Sequence, residues 1–284
     1  MTNGALIALE GGEGGGKTTQ IALLAEKLRA EGYDVLVARE PGGTRISEQI
    51  RQVVLDKENI EMVDEAEVLL YQASRAQIYA EVIRPALKEG KIVLMDRTSE
   101  SSLVYQGMAR GMGVERIADL NAFSTQNTRA DLILLLDVPM EVGLGRIAQE
   151  KRDRLENAGA EFHEVVRSGY LLLAEADQEN RWQVIDARGS LEEVAAEIWQ
   201  QVQKFLEQRV RPTETVDLDQ SETSTEEEDF NPQVITCQDR SQTSNRRSLC
   251  SPRVKPKICP DTTLKLGLKS SSSVCSKVCS KKST

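Results

Sequence analysis

The sequence predicts an α/β domain built on a parallel sheet with helices on both faces, and three observations predict it. Five short apolar runs, at 5–10, 34–40, 91–96, 131–137 and 182–187, have strand length. Helical spacing fills the intervals, at about 17–30, 44–55, 64–89, 114–127, 139–150, 160–180 and 191–208. A glycine-rich turn joins the first strand to the first helix. Continuous apolar strands that alternate with helices are those of a sheet buried on both sides.

The first strand is "ALIALE" (5–10), and the first helix contains "TQIALLAEKLRA" (19–30), with apolar residues at Ile21, Leu24, Ala25 and Leu28. Between them, five glycines fall among residues 10–16. Gly11, Gly16, Lys17 and Thr18 fit G-x-x-x-x-G-K-[ST], the P-loop. Glycines let successive backbone N–H groups point into one concavity. The helix that starts near Lys17 adds the positive end of its dipole. The whole turn, Gly11, Gly12, Glu13, Gly14, Gly15, Gly16, Lys17 and Thr18, therefore reads as the cradle for the phosphates of a nucleotide. Lys17 reaches the β- and γ-phosphates and Thr18 offers a hydroxyl to Mg²⁺. A P-loop gives a nucleotide and not yet a reaction.

In a parallel α/β sheet, ligands bind at the carboxyl ends of the strands. After the second strand comes "REPGGT" (39–44), after the third "DRTSESSLVYQG" (96–107), and beyond the fourth "QEKRDRLE" (149–156). Singly, each reads as a turn, a helix start or a solvated ion pair. Together they put arginines and a carboxylate on the edge that carries the P-loop. Transfer between two phosphate-bearing substrates needs that charge. The lone histidine, His163, is expected to pack or face solvent and not to act in catalysis.

The net charge of −9 does not favour a nucleic-acid partner. No apolar run approaches a membrane span, and no signal peptide is expected, which suggests a cytoplasmic protein. The expected domain is 1–211. Residues 212–284 read as a disordered tail, with nine acids and no base over 212–239, then eleven bases and one acid over 240–284. All five cysteines (Cys237, Cys250, Cys259, Cys275 and Cys279) fall in that tail, without a C-x-x-C pair. A solvated tail is expected there, and neither a zinc site nor a disulfide framework.

"EGGEGGGKTTQ", "REPGGT", "EAEVLLYQASRAQ", "DRTSESSLVYQG" and "LDVPMEVGLGR…RDRLE" stand in the order and spacing of bacterial thymidylate kinases, which this chain resembles over about 4–208. The resemblance implies the P-loop nucleoside monophosphate kinase fold, a five-stranded parallel sheet with a mobile lid, and usually a homodimer. It implies transfer of the γ-phosphate of ATP to dTMP, giving dTDP, with Mg²⁺ held by Thr18 and, partly through water, by Asp96. It places Glu13 near the sugar 3′-hydroxyl and Arg97, assisted by Arg51, on the dTMP phosphate. Arg75 goes to the thymine ring and Tyr71 stacks on the base, while Ser101, Tyr105 and Gln106 line the same pocket.

The bacterial branch has no arginine at the P-loop position occupied here by Gly14, so a lid arginine supplies the transition-state charge. Arg152 is the first choice, then Arg146 and Arg154, the last of which also reads as part of a hinge ion pair. Two residues depart from the family pattern: Thr98 where an aromatic or histidine is common, and Ser74 where an acid precedes the arginine. The residues by themselves leave two alternatives open, another nucleoside monophosphate kinase and a non-catalytic nucleotide-binding switch.

Overall fold

The computed structural model describes residues 4–146 and 153–210. In chain order these form β1 (Ala5–Glu10), α1 (Lys17–Ala30), β2 (Val35–Arg39), α2 (Arg45–Leu55) and α3 (Asp64–Ile78). A π-helical turn (Tyr79–Ile83), α4 (Arg84–Lys88), β3 (Ile92–Asp96), α5 (Ser99–Ser102) and a second π segment (Leu103–Ala109) follow. Then come α6 (Val114–Thr125), β4 (Leu132–Asp137), α7 (Met140–Gly145), α8 (Ala160–Glu175), β5 (Trp182–Asp186) and α9 (Leu191–Val210). The expected tail 212–284, with its cysteines, and Arg152 lie outside the described residues.

All five strands are parallel, in the order β2-β3-β1-β4-β5. Sequence character sorts them. β1, β3 and β4 are buried along almost their whole length, whereas the edge strands β2 and β5 expose part of theirs, including Val37 and Val184. Side chains alternate between the two faces, as a period of two requires. Ala5, Ile7, Leu9, Leu94 and Leu134 pack under α1 and α9 with Leu24, Leu28, Ile198 and Val202. Leu6, Ala8, Val93, Met95 and Ile133 pack on the other face with Ile78, Ile83, Val104, Val166 and Tyr170.

Two helix expectations need correction, and one helical segment was not expected. The run 64–89 is not one uniform helix: it passes through the π turn at Tyr79–Ile83 before resuming at Arg84. The wide turn lies just before Pro85, which has no N–H for the carbonyl four residues back. The helix expected at 160–180 stops at Glu175. Asp177 takes over the backbone there, accepting from Glu179 N at 3.2 Å and Trp182 N at 2.9 Å. Residues 99–109 are helical although no strong periodicity marks them. Of the helix expected at 139–150, Met140–Gly145 is seen, and 147–150 lie outside the described residues. No described helix is long and apolar enough to cross a membrane.

Candidate active site

The register Leu9↔Asp96 brings the carboxyl ends of β1 and β3 side by side, and Arg97 N donates to Leu9 O at 3.1 Å to continue the pairing. The P-loop leaves β1 at that edge. Gly14 has φ 68°, and a Cβ there would stand 1.9 Å from Gly143 O at the foot of α7. Glycine is required on both counts, and no arginine fits at that position. Gly16 caps α1 without a side chain, so the first-turn N–H groups meet no side-chain cap there. Lys17 is buried and folds back over the loop, donating to Gly11 O at 3.2 Å and Gly12 O at 2.8 Å. Burial, and next the Arg97 charge, push the Lys17 ammonium below its ordinary value. Thr18 Oγ1 donates to Asp96 Oδ2 at 2.7 Å.

Arg97 carries a positive φ of 68° and aims its guanidinium at the loop. Nη2 donates to Glu13 Oε1 at 2.7 Å, and Nη1 to Gly11 O at 3.0 Å. Tyr105 OH donates to the same Glu13 oxygen at 2.8 Å. Burial pushes the Glu13 carboxyl up, but the Arg97 and Lys17 charges and the Tyr105 hydroxyl win and hold it at about 2. The second π segment explains the nearby lining. Its wide turns let the consecutive residues Tyr105 and Gln106 both face the cavity, beside Ser101 and Ser102 of α5.

These residues line one cavity of about 540 Å³. Of the residues expected at the site, Glu13 to Thr18, Arg51, Tyr71, Arg75, Asp96, Arg97, Ser101, Tyr105 and Gln106 reach it. Gly11 and Gly12 contribute instead the carbonyls that take the Lys17 ammonium. Arg51 is fixed by Pro41 O at 2.8 Å. Arg75 is only 1% exposed and well anchored. It donates to Glu40 Oε2 at 2.8 Å, Ser102 Oγ and Asn121 Oδ1 at 2.9 Å, and Thr98 O at 3.0 Å. The acid that pairs with Arg75 is thus Glu40 of "REPGGT". Ser74 is buried and accepts from Gly42 N at 3.3 Å, tying that same loop to α3.

The far wall comes from 153–156. "DRLE" forms a reciprocal cap: Asp153 Oδ1 accepts from Leu155 N and Glu156 N, both at 2.9 Å, and Glu156 Oε2 from Asp153 N at 2.9 Å. Arg154 points away into an ion pair with the fully buried Glu67, and its Nε donates to Val54 O at 3.1 Å. Glu67 also accepts from Gln106 Nε2 at 2.8 Å and Arg110 Nη2 at 3.1 Å. Arg146 is exposed and reaches back to Gly14 O and Ala187 O, both at 3.2 Å. His163 is buried against Phe162 with Nε2 3.2 Å from Glu156 O, a packing position.

Comparison with known proteins decides which family arranges a P-loop and an arginine-lined pocket in this order. A family model described as Thymidylate kinase matches residues 9–198. A thymidylate kinase of Desulforudis audaxviator is 47% identical over 208 residues, covering 73% of this chain and 94% of that protein. One from Syntrophotalea carbinolica is 48% identical over 200 residues, covering 68% and 92%. One from Caldanaerobacter subterraneus is 43% identical over 203 residues, covering 72% and 97%. The chain belongs to the thymidylate kinase family.

Within this thymidylate kinase-family domain the departure at Thr98 has a local reason. The side chain is fully buried, and its Oγ1 lies 3.0 Å from Glu10 Oε1 and 2.5 Å from Glu100 Oε2. It points into the protein beside the cavity and fills a polar pocket. Sequence reasoning passed over four residues that hold the site: Glu10, Glu40, Glu67 and Tyr170. For Glu67 a signal existed, since 67, 71 and 75 recur at helical spacing and share one face of α3 with Tyr71 and Arg75.

The Glu13 shift has a measurable sign. Its folded value, about 2, lies below the ordinary 4.5, so ionised Glu13 contributes stability above pH 4.5 that is lost as pH falls toward 2. The melting-temperature gap between the parent chain and Glu13→Gln is therefore expected to narrow as pH falls through that window. A gap of constant size would show that Arg97 does not depress Glu13.

Proposed function

We propose that this chain transfers the γ-phosphate of ATP to dTMP, giving dTDP and ADP, through the cavity shared by the P-loop and Arg97. The observation that carries the reading is the Arg97–Glu13 pair at 2.7 Å. It sets a second fixed cation beside the P-loop lysine, facing the pocket made by Tyr71, Arg75 and Gln106. A nucleotide switch needs the first cation only; transfer to a second phosphate needs both.

The chemistry asks for no general base. The acceptor is already an anionic phosphate, and the protein's task is to align it and neutralise charge. In this reading the P-loop N–H groups and Lys17 hold the donor phosphates. Arg97, with Arg51, holds the acceptor phosphate, while Glu13 and Tyr105 meet the sugar. Tyr71 stacks on the base, and Arg75, rigid through its Glu40 pair, lines the pocket that takes the ring. Thr18 Oγ1 and the Asp96 carboxylate, 2.7 Å apart, are hard oxygen donors suited to Mg²⁺, which when bound with ATP neutralises phosphate charge. Gly14 leaves no room for a P-loop arginine, so the transition-state cation belongs to the lid. Arg154 is committed to Glu67, which favours Arg152, with Arg146 next.

The dimer belongs to the same proposal. Phe123 on α6 is 84% exposed and Leu69 on α3 58% exposed. The two helices are joined by the Gln72 amide, 2.7 Å from Ser124 Oγ. Exposed apolar side chains of that size on adjacent helices suit a self-complementary interface. Sedimentation should therefore show a dimer that Phe123→Asp weakens; an unchanged association constant would place the interface elsewhere.

The direct assay couples ADP release to each nucleoside monophosphate in turn. dTMP is expected to give the highest kcat/KM, and Lys17→Ala to lower kcat by about 10²–10³ while the protein stays folded. Equal rates across monophosphates, or near-normal turnover by the variant, would overturn the reading.

A further inference from the structure

Glu10, the last residue of β1, is completely buried directly before the P-loop. An ion at that depth is costly unless it is fully bonded. Both of its oxygens are. Oε1 accepts from Thr98 N at 2.7 Å and lies 3.0 Å from Thr98 Oγ1. Oε2 accepts from Ser101 Oγ at 2.7 Å and Tyr170 OH at 2.8 Å. Every one of these partners also bears on Arg97. Thr98 N belongs to the peptide that follows it. Tyr170 OH and Ser101 Oγ accept from Arg97 Nη1, at 3.2 Å and 3.4 Å.

The guanidinium is thus divided. Nη2 faces Glu13, while Nη1 is joined to Glu10 through two hydroxyls that accept from the arginine and donate to the carboxylate. Such chains polarise one another in a low dielectric. Arg97 also needs holding, because φ 68° is rare for a bulky residue and persists only where its surroundings over-determine it. The Thr98 N–H bond to Glu10 is one such constraint, at the next peptide.

We propose that Glu10 is a positioning residue for phosphate transfer, holding the backbone and one side of Arg97 so that its other side meets the acceptor phosphate. Glu10 touches neither substrate. The proposal rests on the reading of Arg97 as the acceptor-phosphate cation.

A double-mutant cycle tests it, with KM for dTMP, KM for ATP, kcat and melting temperature measured for Glu10→Gln, Arg97→Ala and the pair. Glu10→Gln is expected to raise KM for dTMP about tenfold while KM for ATP stays within about twofold, and to add nothing further in the Arg97→Ala background. A carboxylate that served stability alone would raise both KM values or add its loss in both backgrounds, and either result overturns the proposal. If Arg97→Ala leaves KM for dTMP unchanged, the assignment of Arg97 fails, and the inference with it. If Arg97→Ala raises it and Glu10→Gln does not, only the inference fails. Should Glu10→Gln not fold, Tyr170→Phe removes one link of the same chain and is expected to raise KM for dTMP about threefold, again only where Arg97 is present. No change in that variant overturns the proposal.

Discussion

Arg97 stands one residue past β3 and is gripped from several directions: Glu13 and Gly11 O on the P-loop, Leu9 O behind its N–H, and the hydroxyls of Ser101 and Tyr170. The site's geometry depends on this one side chain being fixed. It holds the Glu13 carboxyl well below the usual range, and it sets the distance between its own guanidinium and the P-loop. Two cations beside each other in a half-buried cleft repel. Glu13, Glu10 and Asp96 are the counter-charges that let Lys17 and Arg97 share it.

Strand order creates that meeting point. β1 lies at the centre with β3 on one side and β4 on the other, so the chain leaves in opposite directions and opens a crevice at its carboxyl end. The P-loop fills the crevice from β1. Asp96 and Arg97 enter from β3, and α7 follows β4 to touch the loop at Gly14 and Gly143. A second tier of buried ion pairs, Arg75–Glu40 and Arg154–Glu67, makes the walls rigid. Breaking such a pair by removing one partner costs about 3–5 kcal/mol, because an unpaired charge is left buried.

Periodicity carried the strands and motif spacing the P-loop, since continuous apolar runs and a P-loop are local features, whereas the rest of the expected lining, from Arg51 to Gln106, came from the family resemblance. What they did not reveal was the set of partners. Glu10, Glu40 and Glu67 read as ordinary acids, and only the fold shows that each is buried against an arginine or a hydroxyl distant in sequence. Arg75 was expected to be available to the base, and its bonding to Glu40, Ser102, Asn121 and Thr98 O is a tertiary fact. The helical 99–109 segment escaped notice for a local reason. Its "SESS" start is polar yet buried, and its π turns break the period of 3.6 on which recognition depends.

In the proposed reading the acceptor site is assembled before ATP arrives, because Arg97, Arg75 and Arg51 are each fixed by protein groups. Titration calorimetry of dTMP into the nucleotide-free protein tests this most directly. The account predicts saturable binding of one dTMP per chain without ATP or Mg²⁺, weakened by Arg97→Ala. Absence of dTMP binding until ATP is added would contradict it.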